Sequence, residues 1–111
     1  MTDKDHFEIL RKINKKPNST QRSLSRDLGL SLGKINYCMK KLIDKGFIKV
    51  INFKNHKNKI QYSYLLTPKG IEEKGRLTLA FIKIKTQEYD ELKKEIDLLK
   101  KEANTFNSNN D

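Results

Sequence analysis

The spacing of apolar residues changes period along the chain, and each change marks an element. Between Asp3 and Lys15, Phe7, Leu10 and Ile13 recur at three-residue spacing with Ile9 beside them. That spacing predicts an amphipathic helix. The stretch KKPNST ends it, because Pro17 cannot continue a helix and Asn18 and Ser19 favour turns. A second, short helix follows, with Ser19 or Thr20 as N-cap, Leu24 and Leu28 on one face and Gly29 as its stop. Ser31 can cap a third helix running to about Lys45, closed by Gly46. Leu30 and Leu32 flank the tight turn between the two, so the pattern is helix, glycine-containing turn, helix.

After Gly46 the pattern is that of strands. FIKVINF and IQYSYLL are rich in β-branched and aromatic residues, and the polar, basic KNHKNK between them reads as a hairpin tip. Thr67 and Pro68 then form a helix start, as N-cap and first helical residue. From Pro68 to about Glu102 no proline intervenes. Leu77, Phe81 and Ile84 recur at spacings of four and three; Tyr89, Leu92, Ile96, Leu99, Ala103 and Phe106 recur likewise, one position out of phase with the first set. A helix this long, with an apolar seam and charged flanks, reads as a dimerising coiled coil with a local stutter. The other possibility is a single helix folded back on its own domain. The predicted fold class is mainly α with a small β-hairpin: a winged helix-turn-helix over residues 1–67, a long coiled-coil helix over 68–104 and a disordered tail over 105–111.

The third predicted helix has two distinct sides. With Lys34 set at 0° and roughly 100° per residue, Ile35, Cys38, Met39, Leu42 and Ile43 fall between roughly 40° and 180°. Opposite them lie Gly33, Tyr37, Lys40, Lys41 and Asp44, with Lys34 and Asn36 at the flanks. A merely solvated face would carry more Glu–Lys pairs at four-residue spacing, and here only Asp44 is acidic. Tyrosine, asparagine and lysine can bond base edges and phosphates in a major groove, and Gly33 lets the helix start approach another surface closely. Gly33, Lys34, Asn36, Tyr37, Lys40 and Lys41 are therefore the candidate groove residues. Ser19, Thr20, Gln21, Arg22 and Ser31 sit at helix starts, where backbone N–H groups favour a phosphate, although simple capping would use the same residues. Lys54, His56, Lys57 and Lys59 would put a basic wing tip on the backbone or minor groove, unless the tip is only a soluble loop.

Charge strengthens this picture. The 111 residues carry a net +10, with pI near 9.7. Residues 1–70 hold 16 Lys/Arg and 5 Asp/Glu, whereas residues 71–111 hold 8 and 9. A basic head on a nearly neutral tail points to an acidic polymer as partner for the head. Only 35% of residues are hydrophobic, lean for a compact monomer, so some apolar surface should be covered by a second chain.

Other chemistries find little support. Cys38 is the only cysteine and falls on the apolar arc, so it reads as a small core residue, and no disulfide within the chain is possible. His6 and His56 lack metal-ligand companions at suitable spacing, no glycine-rich phosphate loop occurs, and no nucleophile has an evident base. No metal, cofactor or enzymatic activity is expected. Met1 to Leu10 does not read as a secretory signal and no apolar run approaches a membrane span, so a cytoplasmic location, off the membrane, is expected.

The stretches NSTQRSLSRDLGL, SLGKINYCMKKLIDKGFIKV, NFKNHKNK and YLLTPKGIEEKGRLT together resemble the MarR family of winged helix-turn-helix regulators, most closely its small exopolysaccharide (EPS)-associated members. The resemblance covers about Pro17 to Ala80. It implies a homodimeric bacterial transcription factor that inserts its third helix into double-stranded DNA. The link to polysaccharide genes comes from the family label alone. Typical members surround the winged domain with helices from both termini, building a dimer and a ligand pocket. One short N-terminal helix and one long C-terminal helix depart from that pattern, which argues against a small-molecule effector. Two other functions fit the same features: a winged-helix interaction module that recruits a transcription partner through its coiled coil, and a general nucleic-acid coating protein.

Overall fold

The computed structural model describes residues 3–54, 56–57 and 59–109. The order of elements is α1 (Asp3–Lys15), α2 (Gln21–Leu28), α3 (Leu32–Asp44), β1 (Ile48–Lys54), β2 (Ile60–Leu66) and α4 (Pro68–Asn109). This is the mainly helical, winged helix-turn-helix arrangement that the apolar spacing predicts. The chain divides into two compact units, Met1–Thr78 and Leu79–Asp111. The first three turns of α4 thus belong to the winged unit, which reaches beyond the expected boundary at residue 67.

Local chemistry accounts for each helix end. Thr20 caps α2 in a reciprocal box: its hydroxyl accepts from the Ser23 N–H at 3.1 Å, and Ser23 Oγ accepts from the Thr20 N–H at 2.9 Å. Gly29 ends α2 in the left-handed conformation, at φ 67°. Ser31 caps α3 by accepting from the Lys34 N–H at 3.1 Å. Gly46, at φ 79°, turns the chain out of α3 into β1.

Within the winged unit, α1 packs on α2, α3 and β2, while α3 packs on α2 and β1. Phe7, Ile9, Leu10 and Ile13 from α1, Leu24 from α2 and Ile35, Cys38, Met39 and Leu42 from α3 form the buried core. Burying a side chain of this size contributes about 1.5–3 kcal/mol. β1 and β2 pair antiparallel from Ile48 with Leu66 to Lys54 with Ile60. Ser19 adds a single antiparallel bridge to Tyr64, tying the α1–α2 connection to the edge of β2 that β1 leaves open. The exposed wing residues Ile60 and Tyr62 and the buried Ser63 and Tyr64 all come from β2.

The junction with α4 is closely fitted. Thr67 donates its N–H to the Phe47 carbonyl at 3.0 Å, and its hydroxyl accepts from the Gly70 N–H at 3.0 Å, capping α4 as expected. Gly70 lies directly against the Phe47 carbonyl, with no room for a Cβ. At its far end α4 runs to Asn109, whereas the sequence pattern ended it at residue 104 with a disordered tail. Residues 105–109 are helical, Thr105 donates its hydroxyl to the Lys101 carbonyl at 3.0 Å, and nothing in TFNSN breaks a helix as proline would. Residues 110 and 111 of the expected tail lie outside the described residues.

Gly70→Ala should therefore lower unfolding stability by about 2–3 kcal/mol, since backbone rather than a flexible side chain must yield. Gly75→Ala, in the same helix with open space around it, should raise stability by about 0.5–1 kcal/mol. Urea denaturation of the two variants beside wild type checks both signs.

Candidate nucleic-acid interface

The candidate interface is built on α3. Its inner stripe, Ile35, Cys38, Met39 and Leu42, is at most 1% exposed, and Ile43 is half-buried at the edge. Gly33, Lys34, Asn36, Tyr37, Lys40 and Lys41 are all exposed on the other side. Tyr37 is 52% exposed, and Lys41 Nζ sits 4.9 Å from its ring centroid, one turn along. That cation–π contact holds an amine and a phenol together at the surface. A Cβ at Gly33 would meet nothing within 4 Å, so the glycine leaves an unoccupied approach rather than serving internal packing.

Two of the candidate groove residues have partners that sequence spacing did not reveal. Lys34 Nζ lies 3.3 Å from Asp5 Oδ2, a carboxylate of α1 that is itself nearly buried. The amine is thus drawn toward α1 rather than left free. Asn36 Oδ1 accepts from Gln21 Nε2 at 3.4 Å, and the same amide donates to the Tyr64 hydroxyl at 3.1 Å. Gln21 therefore bridges α2, the outer face of α3 and the wing strand β2. Neither Asp5 nor Tyr64 stood out in the sequence. One of three acids in α1 and one of two tyrosines in β2 carry no spacing signal.

Of the residues expected on phosphates, the structure takes one away. Ser19 is only 2% exposed and donates its hydroxyl to the Lys16 carbonyl at 2.6 Å, because the bridge to β2 turns it inward. Thr20 and Ser31 spend their hydroxyls on caps, and Gln21 is half-buried in its bridge. Arg22 is exposed, at the start of α2. Thr20, Gln21, Arg22, Tyr62 and Tyr64 line a shallow groove between the start of α2 and the wing. At the wing tip Lys54, His56, Lys57 and Lys59 are exposed, although Lys54 closes strand β1 rather than lying in the loop. Asn55 and Asn58 lie outside the described residues.

Two acidic groups of the winged unit, Asp27 and Asp5, are held by cations. Asp27 lies within 3.5–3.8 Å of Arg26, Lys16 and Lys12. Burial pushes its carboxyl upward, and Lys16, Lys12 and Arg26 outweigh that and hold it below the usual range. Asp5 is paired with Lys34. The α3 face and wing tip thus keep a positive excess, with Asp44 as the exposed acid on α3.

Along α4 the expected dimer seam divides. Leu77 is 3% exposed and belongs to the core of the winged unit, so it is not available to a second chain. Phe81 is half-buried, while Ile84, Tyr89, Leu92, Ile96 and Leu99 are exposed. Among the described residues no cluster of metal-ligating side chains occurs, and no helix is long and apolar enough to cross a membrane.

Residues 3–49 match a family model described as winged helix-turn-helix DNA-binding. No curated protein sequence matches the chain. Among solved structures, MarR from Staphylococcus aureus, in complex with salicylate and kanamycin, is 28% identical, with TM-score 0.60 over 73% of this chain and 53% of that one. FabT from Streptococcus pneumoniae, in complex with DNA, is 24% identical, with TM-score 0.57 over 79% and 59%. The PcaV transcriptional regulator from Streptomyces coelicolor, in complex with its natural ligand, is 18% identical, with TM-score 0.68 over 94% and 75%. The chain spans little more than half the length of the first two.

His6 offers a probe of the α1–α3 contact beneath the interface. Its Nε2 is buried without a hydrogen-bond partner. Burial first, then the charges of Lys45 and Lys41, lower its pKa from the usual 6.5, against a weaker upward pull from Asp3 and Asp5. A depressed histidine binds fewer protons folded than unfolded. Its contribution to stability is therefore complete above pH 6.5 and lost as pH falls through 6.5 toward the folded value. The melting temperature should decline on acidification in that range, and His6→Gln should flatten the decline in a melting series against pH.

Proposed function

We propose that this protein is a sequence-specific, dimeric transcriptional regulator that reads DNA with α3. The carrying observation is the two-sided character of α3: a fully buried apolar stripe backs an exposed surface of Gly33, Asn36, Tyr37, Lys40 and Lys41. Supporting it are the match of residues 3–49 to winged helix-turn-helix DNA-binding domains and the likeness to FabT, which was solved with DNA. α3 enters the major groove, where Asn36 and Tyr37 meet base edges and Lys40 and Lys41 meet edges or phosphates. Arg22 and the wing residues 54–59 lie on the backbone or in the minor groove. Lys34 joins them by exchanging Asp5 for a phosphate. Two copies joined through α4 read two half-sites related by a two-fold axis. The protein works in the cytoplasm, without an enzymatic activity or an assigned small-molecule effector. Control of polysaccharide genes rests on the resemblance of its motifs to the EPS-associated regulators.

A second reading, an interaction module that recruits a transcription partner, is favoured by one observation, the row of exposed apolar residues along α4. It would show as retention on heparin with no protected footprint on genomic DNA, whereas the regulator gives a discrete footprint.

Replacing Asn36, Tyr37 and Lys41 together by alanine should abolish the specific gel-shift complex while leaving the melting temperature near that of wild type. Unchanged affinity would show that α3 is not the reading surface. Lys57→Ala should weaken specific and random DNA alike and reduce the slope of log affinity against log salt by about one ion.

Asp5→Asn removes the carboxylate that holds Lys34 and should act in the opposite direction. Affinity rises and the salt slope steepens by about one ion, as measured by fluorescence anisotropy across a salt series.

A further inference from the structure

We infer that α4 joins two copies of this chain as a parallel, two-stranded coiled coil over Ile82–Phe106, with its orientation set by glutamate–lysine pairs. This deepens the dimer proposed above and rests on it. Once Leu77 is assigned to the winged unit's own core, the apparent stutter in the seam disappears. Ile82, Tyr89, Ile96 and Ala103 follow one another at seven-residue intervals, and Lys85, Leu92, Leu99 and Phe106 do the same three residues later. This is one unbroken heptad frame with the first set at a and the second at d. Leu77 and Ile84 fall at c and Phe81 at g, off the seam. The large apolar residues of the frame, Ile82, Tyr89, Leu92, Ile96, Leu99 and Phe106, are each 42–67% exposed in the single chain. Tyr89, Leu92 and Ile96 line a shallow groove with Lys93, Asp97 and Lys100.

The flanking charges name the occupant and its direction. Position g carries Glu88, Glu95 and Glu102; position e carries Lys93 and Lys100. In a parallel pair, g of one helix faces the following e of the other. Glu88 then meets Lys93 of the second copy and Glu95 meets Lys100, and the two-fold axis repeats both pairs. In an antiparallel pair g faces g and e faces e, which sets glutamate against glutamate and lysine against lysine. Ile82 and Ile96 at a, with Leu92 and Leu99 at d, favour two strands over three or four. Lys85 at d is poorly suited to the core; its Nζ lies 3.2 Å from Glu88 Oε2 of its own helix, so the well-packed seam runs from Tyr89 to Phe106. Since the winged unit ends at Thr78, before the seam in each chain, a parallel coil holds both winged units at the same end.

The test uses the full chain. Sedimentation equilibrium of wild type should give the mass of a dimer. A103C and K85C chains, of which one carries a size tag, are then mixed and equilibrated in a glutathione redox buffer; buried Cys38 stays as it is and wild type serves as the uncrosslinked control. A parallel coil gives A103C–A103C and K85C–K85C disulfides, whereas disulfides between A103C and K85C chains overturn the orientation and leave the dimer standing. A monomeric wild type overturns the dimer itself, and footprinting of the same sample reports separately on DNA recognition. The double variant Lys93→Glu, Lys100→Glu should lose self-association and regain it on mixing with Glu88→Lys, Glu95→Lys. Self-association equal to wild type would show that these charges do not govern pairing.

Discussion

The orientation of α3 about its own axis is the constraint on which the rest depends. Ile35, Cys38, Met39 and Leu42 are at most 1% exposed, and together they leave the helix a single rotational setting. Turning it by one residue would drive Lys34 or Lys40 into the core and expose isoleucine, at a cost of several kcal/mol. α1 and α2 exist in this unit to provide the surface against which that stripe packs. The outward presentation of Gly33, Asn36, Tyr37, Lys40 and Lys41 is a consequence of the packing rather than a separate achievement. A rigid backing of this kind is what a surface needs if it is to discriminate among partners by geometry.

Polar contacts then couple this face to its neighbours. Gln21 bonds both Asn36 and Tyr64, so α2, α3 and the wing share one amide. The Ser19 bridge to Tyr64 holds the wing strand to the start of α2. Thr67 and Gly70, seated on Phe47, hold the start of α4 against the turn that leaves α3. Charge is distributed to match. Asp5 and Asp27 are paired with cations of α1, α2 and α3, and the excess of lysine is left on the outer face of α3 and at the wing tip. α4 differs in kind. Its balanced Glu and Lys suit pairing with a copy of itself better than attraction to a polyanion.

Much of this was legible in the sequence because it is local. The caps at Thr20, Ser31 and Thr67, the stop at Gly29, the two strands and both sides of α3 depend on residues a few positions apart. Net charge and its asymmetry need no fold at all. The misreadings have the opposite character. Ser19 looked like a helix-start hydroxyl until β2 paired with its backbone. Lys34 looked free until α1 brought Asp5 to it. Leu77 fitted the spacing of a dimer seam, yet the winged unit buries it.

The sequence by itself therefore determined the elements, the limits of all but α4 and the faces that α1, α2 and α3 turn to the core, since hydrogen-bond caps and apolar periods act over one or two turns. Tertiary structure alone decided which polar side chains stay available and which apolar ones stay exposed. Those outcomes turn on contacts such as that between Gln21 and Tyr64, 43 residues apart, which no local pattern encodes.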